Sequence, residues 1–162
     1  MERIRTCAEP ALLLVVAAFA LGCGSQTSNT GFTGTWERPL EDGYSRLSIR
    51  QTESGYFVRW SKSQPDHTVR CDDQGNCDEL FLGKKVYEWQ FRASTRPDSD
   101  DLFLEVLGKP ADGAGHPMTY VDRLELQPGG NEIWSYQLEQ NGIVRDPPSK
   151  PRKLLRVPNE PS

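Results

Sequence analysis

Apolar and polar side chains alternate along most of this chain with a period of two. Over 45–50, Ser45, Leu47 and Ile49 share one side, and Arg46, Ser48 and Arg50 the other. Over 86–92, Tyr87, Trp89 and Phe91 alternate with Glu88, Gln90 and Arg92. Leu102, Leu104 and Val106 continue the pattern, and so do Leu124 and Leu126. Over 133–138 the more apolar side is Trp134, Tyr136 and Leu138, against Ile133, Ser135 and Gln137. This period belongs to β-strands with one face buried and one wet, as in antiparallel sheet. No apolar stripe at helical spacing follows residue 30.

Turn-forming residues separate the runs. Thr52-Glu53-Ser54-Gly55, Gly83-Lys84, Arg96-Pro97-Asp98-Ser99-Asp100 and Pro128-Gly129-Gly130-Asn131 each predict a local reversal. Gly108 to Pro117 reads as a longer loop, and Lys153 to Val157 as a final strand. Strands joined by hairpin-length links predict an all-β fold, an antiparallel up-and-down β-barrel of about eight strands over 32–158. Closure removes the exposed edges. A two-sheet sandwich is the alternative. A barrel of eight strands is wide enough to be filled by side chains or to hold one small ligand.

The first residues carry a different signal. Arg3 and Arg5 precede an unbroken apolar run from Ala11 to Leu21, which ends in Gly22-Cys23. The run is shorter than the roughly 20 residues that span a bilayer and has the length of a signal-peptide core. Small residues directly before a cysteine resemble the lipobox of bacterial lipoproteins. That resemblance implies a signal peptide at 1–22, acylation of Cys23 and attachment to the cell envelope. In a Gram-negative host, Gly24 after the cysteine implies the outer membrane, facing the periplasm. Two or three acyl chains hold a protein stably where one holds it marginally. An ordinary secretory cleavage near Ala20 or Gly22, or an uncleaved membrane anchor, are the alternatives. The polar stretch 23–31 reads as a flexible tether and 159–162 as a disordered tail.

Composition narrows the partners. The chain has 162 residues, 26% of them charged, and a formal net charge of −4. Mean hydropathy is −0.64. Losing 1–22 removes Arg3, Arg5, Glu2 and Glu9 and leaves the net charge unchanged. An acidic balance argues against a nucleic-acid partner. Of four cysteines, Cys7 lies in the leader and Cys23 at the acylation site. Cys71 and Cys77 remain, and export places them where a disulfide is expected, pinning a hairpin tip. Asp72, Asp73, Asn76 and Asp78 lack the spacing of a calcium loop and read as a solvated acidic turn. Two cysteines without a neighbouring histidine do not complete a zinc site. No metal or cofactor is expected.

The domain opens Phe32-Thr33-Gly34-Thr35-Trp36. Gly-x-Trp on a first strand resembles the opening of the lipocalin and avidin barrels. In those families the tryptophan plugs one barrel end, and in lipocalins an arginine of the last strand packs over it. The resemblance implies that role for Arg156. The overall likeness is to small lipocalin-like lipoproteins of bacterial envelopes.

The residues bear on three classes of function. An enzyme is not expected: His67, in Gln64-Pro65-Asp66-His67, and His116, in Gly115-His116-Pro117, read as loop residues outside any nucleophile constellation. A binder of a small apolar ligand would use Tyr56, Trp60, Trp89, Trp134 and Tyr136, which fall on apolar faces of different strands. The same aromatics could instead fill the barrel. In that case the protein is an envelope structural or interaction protein, such as an inhibitor of a secreted hydrolase, with a protein partner.

Overall fold

The computed structural model describes residues 31–158, all of them strand, turn or coil. The leader, Cys23, nearly all of the tether and the 159–162 tail lie outside the described residues. The strands are β1 (Gly34–Leu40), β2 (Gly43–Thr52), β3 (Gly55–Gln64), β4 (His67–Cys71), β5 (Cys77–Phe81), β6 (Lys84–Arg96), β7 (Ser99–Pro110), β8 (Met118–Leu126), β9 (Glu132–Gln140), β10 (Ile143–Val144) and β11 (Arg152–Arg156). Each of β1 to β9 pairs antiparallel with its neighbour in sequence. β11 sits between β9 and β1 and closes the ring. β10 pairs with β9 alone, at its end. The architecture is an antiparallel, up-and-down closed barrel, and it fits a calycin-like fold.

Strand number differs between the two ends. At one end β3 pairs directly with β6 at Tyr56↔Ala93, so eight strands form the ring. Toward the other end the β4–β5 hairpin wedges between them and raises the number to ten. Barrel diameter grows with strand number. The narrow end can therefore be filled by side chains while the wide end stays hollow. The sequence reading missed β4, because Pro65-Asp66-His67 has the composition of a turn. Pro65 and Asp66 do form the turn, and His67 is the first residue of the strand.

The wedge stops at a disulfide between Cys71 and Cys77, whose residues face each other across the β4–β5 ladder. Cys77 is fully buried and lies opposite Trp89 of β6. The loop it closes is short, so the chain-entropy contribution is about 2 kcal/mol. A Cys71→Ser/Cys77→Ser variant is expected to lose about that much in urea unfolding at pH 7. A reductant should lower the wild-type midpoint and leave the variant's unchanged.

The narrow end holds the main core: Phe32, Trp36, Ile49, Val58, Leu102, Leu104, Leu124, Ile133 and Leu154. Trp36 is completely buried, and its indole N–H donates to the Phe32 carbonyl at 2.7 Å. The Arg156 guanidinium carbon lies 4.1 Å from the centroid of the indole. Its nitrogens donate to the carbonyls of Thr33 at 2.8 Å, Gly31 at 2.9 Å and Gly130 at 2.7 Å. One side chain thus joins the start of β1, the β8–β9 turn and the plug. Gly34 makes this approach open: a Cβ there would sit 2.6 Å from Arg156 Nη1, and φ is +138°. This is the physical requirement behind the glycine of Gly-x-Trp.

The alternation holds inward for Leu47 and Ile49, for Trp89 and Phe91, for Leu102, Leu104 and Val106, and for Leu124. On β9 its phase is opposite to the reading from sequence. Ile133 and Ser135 are buried, and Gln137 lines the interior. Trp134 and Tyr136 lie on the outer face under cations, Lys153 Nζ 5.2 Å and the Arg123 guanidinium carbon 4.7 Å from their ring centroids. Phe103, also outward, is covered by Arg96 at 3.8 Å. Exterior aromatics of this barrel are shielded by the aliphatic stems and charges of arginine and lysine.

A two-faced cavity at the wide end

Above the plug the barrel encloses a cavity of about 740 Å³, within the range of small-molecule sites. Its lining follows from one regularity. On five adjacent strands, the inward face changes from apolar at the floor to polar two residues nearer the wide end. Trp36 gives way to Arg38 on β1 and Leu47 to Ser45 on β2. Leu124 gives way to Asp122 on β8, Ile133 to Ser135 and then Gln137 on β9, and Leu154 to Arg152 on β11. These strands are contiguous in the order β8-β9-β11-β1-β2. The facing half, from β3, β6, β7 and the end of β8, presents Trp60, Tyr87, Trp89, Phe91, Val106 and Tyr120.

Aromatic edges and tilted faces build the apolar half. Trp60 meets Trp89 edge-on with centroids 6.0 Å apart, and Phe91 at 6.1 Å. Tyr87 and Tyr120 lie against Trp89 at 5.4 and 6.1 Å. Gly108 of β7 makes room for this ring, since a Cβ there would lie 2.4 Å from the indole. Trp60 Nε1 donates to Ser45 Oγ at 3.0 Å, tying the two halves together.

A hydrogen-bonded chain borders the aromatic half near the mouth. Lys62 Nζ lies 2.8 Å from His67 Nδ1, His67 Nε2 bonds Glu79 Oε1, and Trp89 Nε1 donates to Glu79 Oε2 at 2.7 Å. Lysine can only donate, so Nδ1 accepts and the Nε2 proton goes to the carboxylate. Burial pushes the Lys62 ammonium down from its usual range; Glu79 opposes this and the positive Arg38 adds to it.

On the polar half Asp122 bonds Arg152, whose Nη2 also lies 3.3 Å from Ser135 Oγ. The second carboxylate oxygen, Oδ1, is enclosed and accepts no hydrogen bond among the described residues. Burial pushes the Asp122 carboxyl up, against the pull of Arg152 and the Ser135 hydroxyl. An acid whose folded pKa is raised favours the fold most below its unfolded value, and that contribution is lost as pH rises through the folded value. Asp122→Asn is therefore expected to be more stable than wild type at pH 7. The difference should vanish below the ordinary aspartate range, about pH 4. Urea midpoints between pH 3.5 and 7.5 check this; a variant less stable at pH 7 would contradict it.

Of the five aromatics expected to bind ligand, the structure brings Trp60 and Trp89 together in the cavity. Tyr56 packs on the core at the narrow end, and Trp134 and Tyr136 face outward. Sequence reasoning missed the polar lining. Arg38, Asp122 and Arg152 carry a signal only when the inward parity of Trp36, Leu124 and Leu154 is extended by two. His116 lies exposed in the β7–β8 loop, away from these groups. Among the described residues no cluster of three His, Cys, Asp or Glu could hold a metal ion. No family model, curated protein or solved structure matches this chain.

Proposed function

We propose that this protein is an envelope lipoprotein of lipocalin-like type that carries a small apolar ligand in the wide half of its barrel. The cavity of about 740 Å³ lined by Trp60, Trp89 and Phe91 carries this reading. A barrel serving only as a scaffold gains nothing from a hollow half, since filling it would add buried apolar area. Phe81, Leu82, Ile143 and Val144 are exposed apolar residues at turns of the same end, where an apolar ligand would first touch the protein. The apolar leader ending in Gly22-Cys23 supports the reading of an extracytoplasmic domain held by acyl chains on Cys23.

Tryptophan emission tests the binding. Fatty acids, haem and flavins are titrated in turn, and at least one class should produce a saturable change that Trp60→Phe and Trp89→Phe reduce. No change across the panel sinks the reading. Labelling of cells with palmitate tests the anchor: label should enter the chain and be lost in Cys23→Ser. An unlabelled wild-type chain would contradict acylation.

A further inference from the structure

Among the described residues, each charged group lining the cavity has a hydrogen-bond or ion-pair partner except one. Asp122 is paired with Arg152, and Glu79 is hydrogen-bonded to His67 and to the Trp89 indole N–H, with Lys62 on the far nitrogen of His67. Arg38 also lines the cavity, and among the described residues no hydrogen bond or ion pair holds its guanidinium. The lining carries two cations, Arg38 and Arg152, and two carboxylates, Glu79 and Asp122, and among the described residues Arg38 alone of the four has no hydrogen-bond or ion-pair partner. Arg38 stands on the inward face of β1 two residues above Trp36, opposite Ser45, which is in turn opposite Lys62. The unpaired charge thus rises from the floor of the cavity rather than from the outer surface. It is half-buried, and Leu47 and Leu154 line the same cavity.

A guanidinium removed from bulk water without a partner is unfavourable, and an anion supplied by a ligand relieves it. Its planar fork matches a carboxylate or sulfonate with two parallel hydrogen bonds. Opposite it stands the aromatic half. We infer that the ligand of this cavity is an amphipathic monoanion, its single charged group held by Arg38 and its apolar body lying against Trp60, Trp89 and Phe91. The inference rests on the reading of the barrel as a small-molecule binder and adds the ligand's charge and orientation to it. A neutral ligand of the same shape would bury Arg38 and leave it unpaired, so the site selects against it.

The test compares 1-anilinonaphthalene-8-sulfonate with N-phenyl-1-naphthylamine, the same ring system without the sulfonate. Both brighten in apolar surroundings. The exported chain carrying Cys23→Ser is used so that no detergent competes. The sulfonate should bind one to one and about tenfold tighter than the amine. Arg38→Gln should weaken the sulfonate by about tenfold or more, and the amine should bind as well as to wild type or better. Arg38→Lys keeps the charge and should lose less than Arg38→Gln. The wild-type comparison needs no variant, so a poorly folded Arg38→Gln does not remove the test. Equal affinities for the two probes, or a sulfonate affinity untouched in Arg38→Gln, would overturn the anion inference and leave the cavity reading standing. If neither probe binds, both fall.

Discussion

Replacing Trp36 with alanine is expected to cost about 4 kcal/mol, the largest effect of any single substitution considered. The side chain is fully buried and sits where the narrow end closes. Its removal takes away apolar area, opens a cavity among Ile49, Leu102 and Leu154, and leaves the Phe32 carbonyl without its donor. It also leaves Arg156 without the ring it covers. A loss of this size is a large share of the roughly 5–15 kcal/mol that holds a typical domain together. Urea unfolding followed by far-ultraviolet circular dichroism measures it. A double-mutant cycle of Trp36→Phe with Arg156→Met should give a coupling of about 1 kcal/mol. A Trp36→Ala protein within about 1 kcal/mol of wild type would mean that this end is not closed by that ring.

Glu79→Ala is expected to cost about 3 kcal/mol, because one buried carboxylate serves three groups. Removing it leaves the Trp89 indole N–H without an acceptor. It also leaves His67 Nε2 without its hydrogen-bond partner and Lys62 without a nearby negative charge. Glu79→Gln keeps an acceptor for the indole and loses the counter-charge, so it should fall between alanine and wild type. The effect should extend to the cavity, since Glu79 fixes the orientation of Trp89. In Glu79→Ala the Trp89 emission should broaden and any ligand of the cavity should bind more weakly. Equal stability of Glu79→Ala and wild type would place the carboxylate in solvent rather than in this network.

The strands were legible because most of them bury one face and wet the other, and the period of two then appears directly in the residues. Leu102, Leu104 and Val106 are an example: they alternate in sequence and line the interior in the structure. β9 misled for a physical reason. Its interior face looks into the polar half of the cavity, so Ser135 and Gln137 point inward, while Trp134 and Tyr136 are outside beneath Lys153 and Arg123. Hydrophobicity reports burial only where the interior is apolar, and a two-faced interior reverses the sign on half of the ring. β4 escaped because a strand that begins with His67 straight after Pro65-Asp66 has no apolar start. The site was partly legible. Trp60 and Trp89 stand out as alternating aromatics, whereas the Lys62–His67–Glu79 chain joins three different strands whose register no local pattern sets.

Four tryptophans occupy three environments in this barrel, so one measurement reports whether its wide half takes up an apolar ligand. Trp36 lies in the plug, Trp60 and Trp89 in the cavity wall, and Trp134 on the outer face. Fluorine NMR of the 5-fluorotryptophan-labelled protein, assigned by single Trp→Phe replacements, reports on each separately. On saturation with N-phenyl-1-naphthylamine, the Trp60 and Trp89 resonances should move while those of Trp36 and Trp134 hold their positions. A shift at Trp134 with Trp60 and Trp89 unmoved would contradict the account, and so would four unchanged resonances.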